Sequence, residues 1–222
     1  MYFYKNGKGE RHMKRYIIRK LHGNMAIDGN VEKEQWKDVE EAKLCDAVTG
    51  GPPRQATSFK LMWDNDFLYV AFKCSDTHVN AAMKDFDDLL YNEEVVELFI
   101  DDNCDLKGYI EIVVNPLNAV LHYFILNDLK GRFQSYARLQ NNIISSVKHD
   151  KENGVVYYEI AVPMREFVTA PNIPPKEGDR WLINVYRIDR PSSEDVEYSA
   201  WSGTGVPNFH VPESFGEVIF ME

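Results

Sequence analysis

Asp101, Asn103 and Asp105 stand at the first, third and fifth places of one short polar stretch, the spacing with which calcium-binding loops begin. The glycine and distal glutamate that complete that pattern are missing, so the stretch reads either as a cation loop or as an acidic turn. Asp85, Asp87 and Asp88 form a second cluster of the same kind. Carboxylates can also work in pairs, since hydrolysis at an acetal carbon needs two of them about 5–10 Å apart. Glu93, Glu94, Glu97 and Glu111 supply candidates, and Glu97 and Glu111 fall in successive strand-like runs where they can become cross-strand neighbours. With 35 acidic residues in the chain, such a pairing arises easily by chance. No G-x-S-x-G nucleophile turn is present. Cys45, Cys74 and Cys104 are odd in number and lack metal-type spacing, which predicts neither a required disulfide nor zinc.

A second concentration of chemistry lies in residues 181–220. Trp201, Phe209, His210 and Phe215 sit there among glycines and prolines. Those residues fix backbone shape, so the aromatic side chains between them are presented rather than fluid. The stretch is expected to form one wall of a ligand site.

The elements that must position these groups follow from hydrophobic pattern. Short runs rich in aromatic and β-branched residues recur at roughly 8–16 residue intervals, split by turn signals. Tyr16–Arg19 reads as a short edge strand. Asp28-Gly29 reads as a turn, with Asn30 capping a helical turn anchored by Trp36. TSFKLMWD and FLYVAFKCSD form a hairpin about Asn65-Asp66, and VVELFID and GYIEIVVN form the next pair. AVLHYFIL follows, then a polar loop over 127–142 holding Phe133 and Tyr136. IISSVKHD and GVVYYEIAVP make another hairpin, and WLINVYRIDR, EYSAWSG and the closing strand complete the series. About ten strands and very little helix predict an all-β fold, an antiparallel β-sandwich of jelly-roll or immunoglobulin-like kind. Residues 16–222 are expected to form one domain behind a polar, poorly ordered tail at 1–15. Trp36, Trp63 and Trp181 are expected in the core, Trp201 leans the same way, and Cys74 reads as buried.

Bulk properties restrict the partners. The 222 residues carry a net charge of −10, with a pI near 5.1, which excludes the basic face that nucleic acid needs. Residues 1–20 run the other way, with Lys5, Lys8, Arg11, Lys14, Arg15, Arg19 and Lys20; they read either as a solvated terminus or as a segment that meets something acidic. No apolar run approaches the ~18 residues of a membrane span, and YIIRKL is too short and basic for a signal core. As written, the sequence predicts a cytoplasmic protein.

Three motifs arrive in order: IDGNVEKEQWKDVE; then LMWDNDFLYVAFKCSD followed by LLYNEEVVELFIDD; then WLINVYRIDR, AWSG and NFHVPESFG. Together, over Tyr16 to Phe220, they resemble the family 9 carbohydrate-binding modules, a DOMON-like group of β-sandwiches. The resemblance implies non-catalytic binding of a sugar or oligosaccharide, often in proteins attached to xylanase-type glycosidases and often secreted. It implies an aromatic clamp of Tyr91 and Phe209, with Glu97 and Asn115 as polar contacts, no required cofactor, and a structural calcium in some members. A pyranose has apolar C–H faces that stack on rings and a rim of hydroxyls that seek charged or amide partners. Where the family often has Trp at the two stacking positions, this chain has Tyr91 and Phe209, and where it has a basic residue on the neighbouring strand, this chain has Val113. His210, in the run Phe209-His210-Val211-Pro212-Glu213, is either a loop hydrogen-bonder or a further ligand contact. A buried Glu97 needs a partner, for which Arg187, Arg190 or a ligand are the candidates. Related sandwiches bind haem through Met with His or Lys, and here Met62, Met83, His122 and His210 are available without a pairing spacing.

Overall fold

The computed structural model describes residues 13–192 and 195–222. Strand β1 (Arg15–Lys20) leads into a single helical turn, α1 (Glu34–Lys37), and two short strands, β2 (Ala42–Lys43) and β3 (Cys45–Asp46). Then follow β4 (Thr57–Trp63), β5 (Phe67–Ser75), β6 (Val95–Asp101), β7 (Gly108–Val114), β8 (Val120–Asn127) and β9 (Phe133–Ala137). The chain ends with β10 (Ile144–Asp150), β11 (Val155–Pro163), β12 (Arg180–Asp189), β13 (Glu197–Ala200) and β14 (Gly216–Met221).

Two layers result. One runs β10-β11-β5-β4 and the other β9-β8-β7-β6-β12-β14, with β1 joining them. The alternation of side chains along each strand decides what lies between the layers. From β6 the even positions Val96, Leu98 and Ile100 enter the main core, where they meet Phe59, Leu61 and Trp63 of β4 and Val70 and Phe72 of β5. The odd positions Val95 and Phe99 join a second apolar cluster on the far face of the same sheet, with Tyr109, Tyr186, Phe209 and Phe215. A β-sheet apolar on both faces needs cover on both. The partner layer covers one face of this sheet, and the chain over 201–215, with parts of 79–91, covers the other.

The all-β sandwich with little helix matches the expectation from the sequence. Trp36, Trp63, Trp181 and Trp201 are all buried, as is Cys74. Burying a side chain of this size contributes roughly 2–3 kcal/mol relative to leaving it in water. Trp201 packs edge-on against Tyr16 and Phe59. Its ring also lies over Gly216, where a Cβ would sit 2.4 Å from the indole, so the closing strand needs glycine there. Trp36 is fixed by an indole N–H that donates to Glu159 Oε1 at 2.8 Å. Glu159 also accepts from the amides of Asp28 and Gly29, which holds the Asp28-Gly29 turn.

Four details differ from the expectation. β1 is no edge strand: it pairs in parallel with β14, Arg15 opposite Glu217 through Arg19 opposite Met221, and with β4 at Arg19–Met62 and Lys20–Trp63. The sandwich is therefore not purely antiparallel. Residues 133–137 are strand rather than loop, pairing with β8 from Tyr123–Ala137 to Asn127–Phe133. As an edge strand with every side chain exposed, β9 has no apolar face to reveal it. β2 and β3 are two-residue pairings, too short for any periodicity to register. Asn30 does not cap α1: its Oδ1 accepts from Glu32 N at 3.2 Å, and Lys33 stands at the cap position without a side-chain bond. Of the basic residues near the start, Arg15 pairs with Glu217 at 2.7 Å and Lys20 with Glu222 at 2.8 Å; Lys5, Lys8 and Arg11 lie outside the described residues.

Candidate functional site

The far face of β6, β7, β8 and β12 forms the floor of a cleft of about 400 Å³. Odd-numbered positions reach it from β6 (Glu97, Phe99), β7 (Glu111) and β8 (Tyr123), with Ile188 from β12. The closing chain supplies Pro207, Asn208, Phe209 and His210, the connection before β6 supplies Tyr91 and Asn92, and β9 supplies Phe133 and Ser135.

These walls are pinned individually. Asn184 holds the closing chain at its start, donating to Ser202 O at 2.8 Å and accepting from Ser202 N at 2.9 Å. Phe209 stacks on Tyr186 with centroids 4.1 Å apart, meets Tyr198 edge-on at 5.7 Å, and is only 7% exposed. One face of its ring is thus spent on the protein. His210 Nδ1 is 2.8 Å from Tyr109 Oη, its carbonyl accepts from Asn127 Nδ2 at 3.2 Å, and its ring stacks on Phe133 at 3.7 Å. Burial pushes the His210 imidazole down to about 4, so it is neutral at physiological pH. Tyr91 is 38% exposed and sits on a one-turn 3-10 segment. That segment is held by Glu93, whose carboxylate accepts from Ala82 N and Met83 N.

Glu97 and Glu111 are 2% and 4% exposed. Register sets Glu97 opposite Val113 and Glu111 opposite Phe99, which makes the two acids diagonal neighbours on one face. Glu97 Oε1 is buried without a hydrogen-bond partner. Burial raises both carboxyls, Glu111 to about 8, and the neighbouring Glu111 raises Glu97 further. The expected partner Arg187 is elsewhere: it occupies the opposite face of β12, where its Nη2 lies 3.3 Å from Asp76, 3.0 Å from Glu94 and 3.0 Å from Asp189. Arg190 does line the cleft, and its Nε is buried without a hydrogen-bond partner.

The structure thus brings Tyr91, Glu97, Phe209 and His210 to one cleft. It does not bring Asn115 there. That amide closes the turn after β7, donating to Met83 O at 2.8 Å and accepting from Leu117 N and Ala119 N. The sequence did not single out Phe99, Tyr123 or Tyr198 as site residues. Strand parity with Glu97 points to Phe99, whereas Phe133 was hidden by the loop reading of β9.

The cation loop and the haem set are placed as follows. Asp101 Oδ2 accepts from Leu106 N at 2.8 Å, Asn103 Oδ1 from Asp105 N at 3.0 Å, and Asp105 Oδ1 from Lys107 N and Gly108 N. These oxygens accept from the loop's own amides. Asp76, Glu94 and Asp189 do converge, within 4.8 Å of one another, but the Arg187 guanidinium lies against all three and supplies the counter-charge. Met62 packs under α1, Met83 against the far-face cluster, and His210 on the cleft. His122 is fully buried, with both ring nitrogens unpartnered. These four do not meet as an axial pair.

Comparisons with known proteins agree with this fold. The family model described as carbohydrate family 9 binding domain-like matches residues 27–222. Endo-1,4-beta-xylanase A of Thermoanaerobacterium saccharolyticum is 32% identical over 95 residues, which are 43% of this chain and 8% of that enzyme. The chain therefore matches only a small fraction of that relative's length. Among solved structures, a carbohydrate binding module family 9 from Caldicellulosiruptor kristjanssonii in complex with cellotriose aligns with a TM-score of 0.68 at 20% identity, over 94% of each chain. A family 9 module from the same organism in complex with glucose aligns with a TM-score of 0.63 at 22% identity, over 93% of this chain and 95% of that one. At such identities the likeness is one of fold.

Proposed function

Because the chain belongs to the family 9 carbohydrate-binding domains, we propose that its cleft holds a sugar or oligosaccharide between Tyr91 and Phe209, above Glu97. One observation carries this assignment of the site. A cleft of about 400 Å³ gathers aromatic walls from three separate segments around a buried carboxylate whose Oε1 has no partner in the protein. Pyranose C–H faces suit the walls, and a sugar hydroxyl can hydrogen-bond to that unpartnered carboxyl oxygen. The cellotriose and glucose held by the structural neighbours point to glucose-based chains as the first ligands to try.

Binding, rather than cleavage, fits the placement of the two acids. Glu97 and Glu111 rise from neighbouring strands of one floor, on the same side of any sugar lying in the cleft. Hydrolysis needs its two carboxyl groups to flank the bond that breaks.

The test is calorimetry of the purified protein with cello- and xylo-oligosaccharides, repeated with Tyr91→Ala. Tyr91 is half-exposed, so its removal leaves the core intact, and losing one stacking wall should weaken binding by about 1–3 kcal/mol. Unchanged affinity in this variant would remove Tyr91 from the clamp.

A further inference from the structure

The cleft floor carries more carboxyl groups than a neutral sugar needs. Glu97 and Glu111 lie side by side there, both almost wholly buried, and Glu97 Oε1 has no hydrogen-bond partner. Two carboxylates held this way are costly to ionise unless something brings a positive charge to them.

Among the described residues no basic side chain pairs with either acid. Arg187 faces the opposite side of its strand and is committed to Asp76, Glu94 and Asp189. His210 is neutral. Arg190 also lines the cleft, but among the described residues it forms no ion pair with either acid. Both acids are instead kept protonated well above the usual carboxylate range by burial, Glu97 further by its neighbour. A site whose charge is suppressed by protons when empty is set to exchange those protons for a cation.

We infer that the cleft prefers a positively charged amino sugar, a glucosamine-type residue whose ammonium group settles between Glu97 and Glu111. This rests on the sugar-binding reading above and names the ligand class of that same cleft. An ammonium offers three N–H donors and a full charge where a hydroxyl offers one donor and none. The walls suit it too, since Tyr91, Tyr123 and Phe209 place aromatic rings around the floor, and ring faces attract cations as well as C–H groups. Glu111 then becomes a specificity residue: Glu97 alone serves a neutral sugar, and the second carboxylate makes charge decisive.

Calorimetry with three trisaccharides separates the outcomes: glucosamine trimer, N-acetylglucosamine trimer and cellotriose, at about pH 6 where the amine is charged. The wild-type protein should bind the glucosamine trimer about tenfold more tightly than either neutral trimer, equivalent to about 1.4 kcal/mol. The preference should shrink as salt is raised. In Glu111→Gln it should fall to about twofold or less. If cellotriose binds and the glucosamine trimer binds no better, the inference is overturned and the sugar-binding reading stands. If no trimer binds at all, both are overturned. The wild-type comparison decides the matter even if Glu111→Gln fails to fold.

Discussion

Phe209 lies face to face on Tyr186, with ring centroids 4.1 Å apart and planes 13° from parallel, and the Tyr186 hydroxyl donates to the Phe209 carbonyl at 3.1 Å. The aromatic wall of the cleft is therefore also part of the far-face core. On the proposed reading, binding and stability are coupled at this residue and not at Tyr91.

Truncation should separate the two walls. Phe209→Ala should lower stability by about 3 kcal/mol or more, as for other buried aromatic side chains. Tyr91→Ala should change it by less than about 0.5–1 kcal/mol, because that ring is already partly in water. Urea denaturation of both variants measures the difference, and equal losses would show that Tyr91 is a core residue after all.

The Arg187 cluster should be fragile in one direction. Removing the guanidinium with Arg187→Met leaves three buried carboxyl groups without their counter-charge, which should cost about 3–5 kcal/mol at neutral pH. Glu94 is already raised to about 8 by burial and by its hydrogen bond with Asp76. Burial also raises Asp189, which Arg187 otherwise holds down, so lowering the pH to about 5 favours its neutral form and should recover part of the loss. A loss independent of pH would mean that the packing of the arginine, and not its charge, holds this corner.

Stability should fall toward alkaline pH because of the cleft acids. Glu111 has a folded value of about 8 against an ordinary 4.5. Between those values the unfolded chain has released a proton that the native chain retains, so stability present below about pH 4.5 is lost as pH rises through 8. Glu111→Gln removes this term and should make the ligand-free protein more stable than wild type at pH 8, by about 1–2 kcal/mol. Denaturation midpoints from about pH 5 to 9 give the slope, and parallel curves for the two proteins would place the titration elsewhere.

The acid side should be governed by histidine. His122 is held near 4 against an ordinary 6.5, mainly by burial and secondarily by the Arg138 charge. The unfolded chain takes up a proton first as pH falls, so stability is full above about 6.5 and is lost as pH drops toward 4. His122→Phe replaces two unpartnered ring nitrogens with carbon and should flatten this limb. Thermal melting between about pH 4 and 7 measures it, and an unchanged acid limb would assign the effect to His210, lowered to the same degree.

Much of this architecture was legible in residue order. The hairpins β4–β5, β6–β7 and β10–β11 follow from alternating apolar runs around short polar turns, and the buried tryptophans follow from their place in those runs. Glu97 was ambiguous because strand parity fixes only that it faces away from Val96 and Leu98, not which face is covered. The parallel pairing of β1 was out of reach because its partners lie about 40 and 200 positions away and no local period records them. Asn115 failed for a different reason. A side-chain amide that satisfies two turn N–H groups looks, in sequence, the same as one that waits for a ligand. The charge cluster around Arg187 was hidden because its acids come from three separate strand ends.

The parallel ladder of β1 also sets an order on folding. Its eventual neighbour β14 is the last of the described strands to leave the ribosome, and loop closure over some 200 residues is slow compared with forming any hairpin of the molecule. Until then β1 has only its two-residue contact with β4, and the two layers lack their clasp. The growing chain can complete its hairpins one by one, but it can lock the sandwich only once β14 has emerged, and a nascent chain stalled before Gly216 would carry both an unfilled slot beside β12 and an unclaimed strand to fill it.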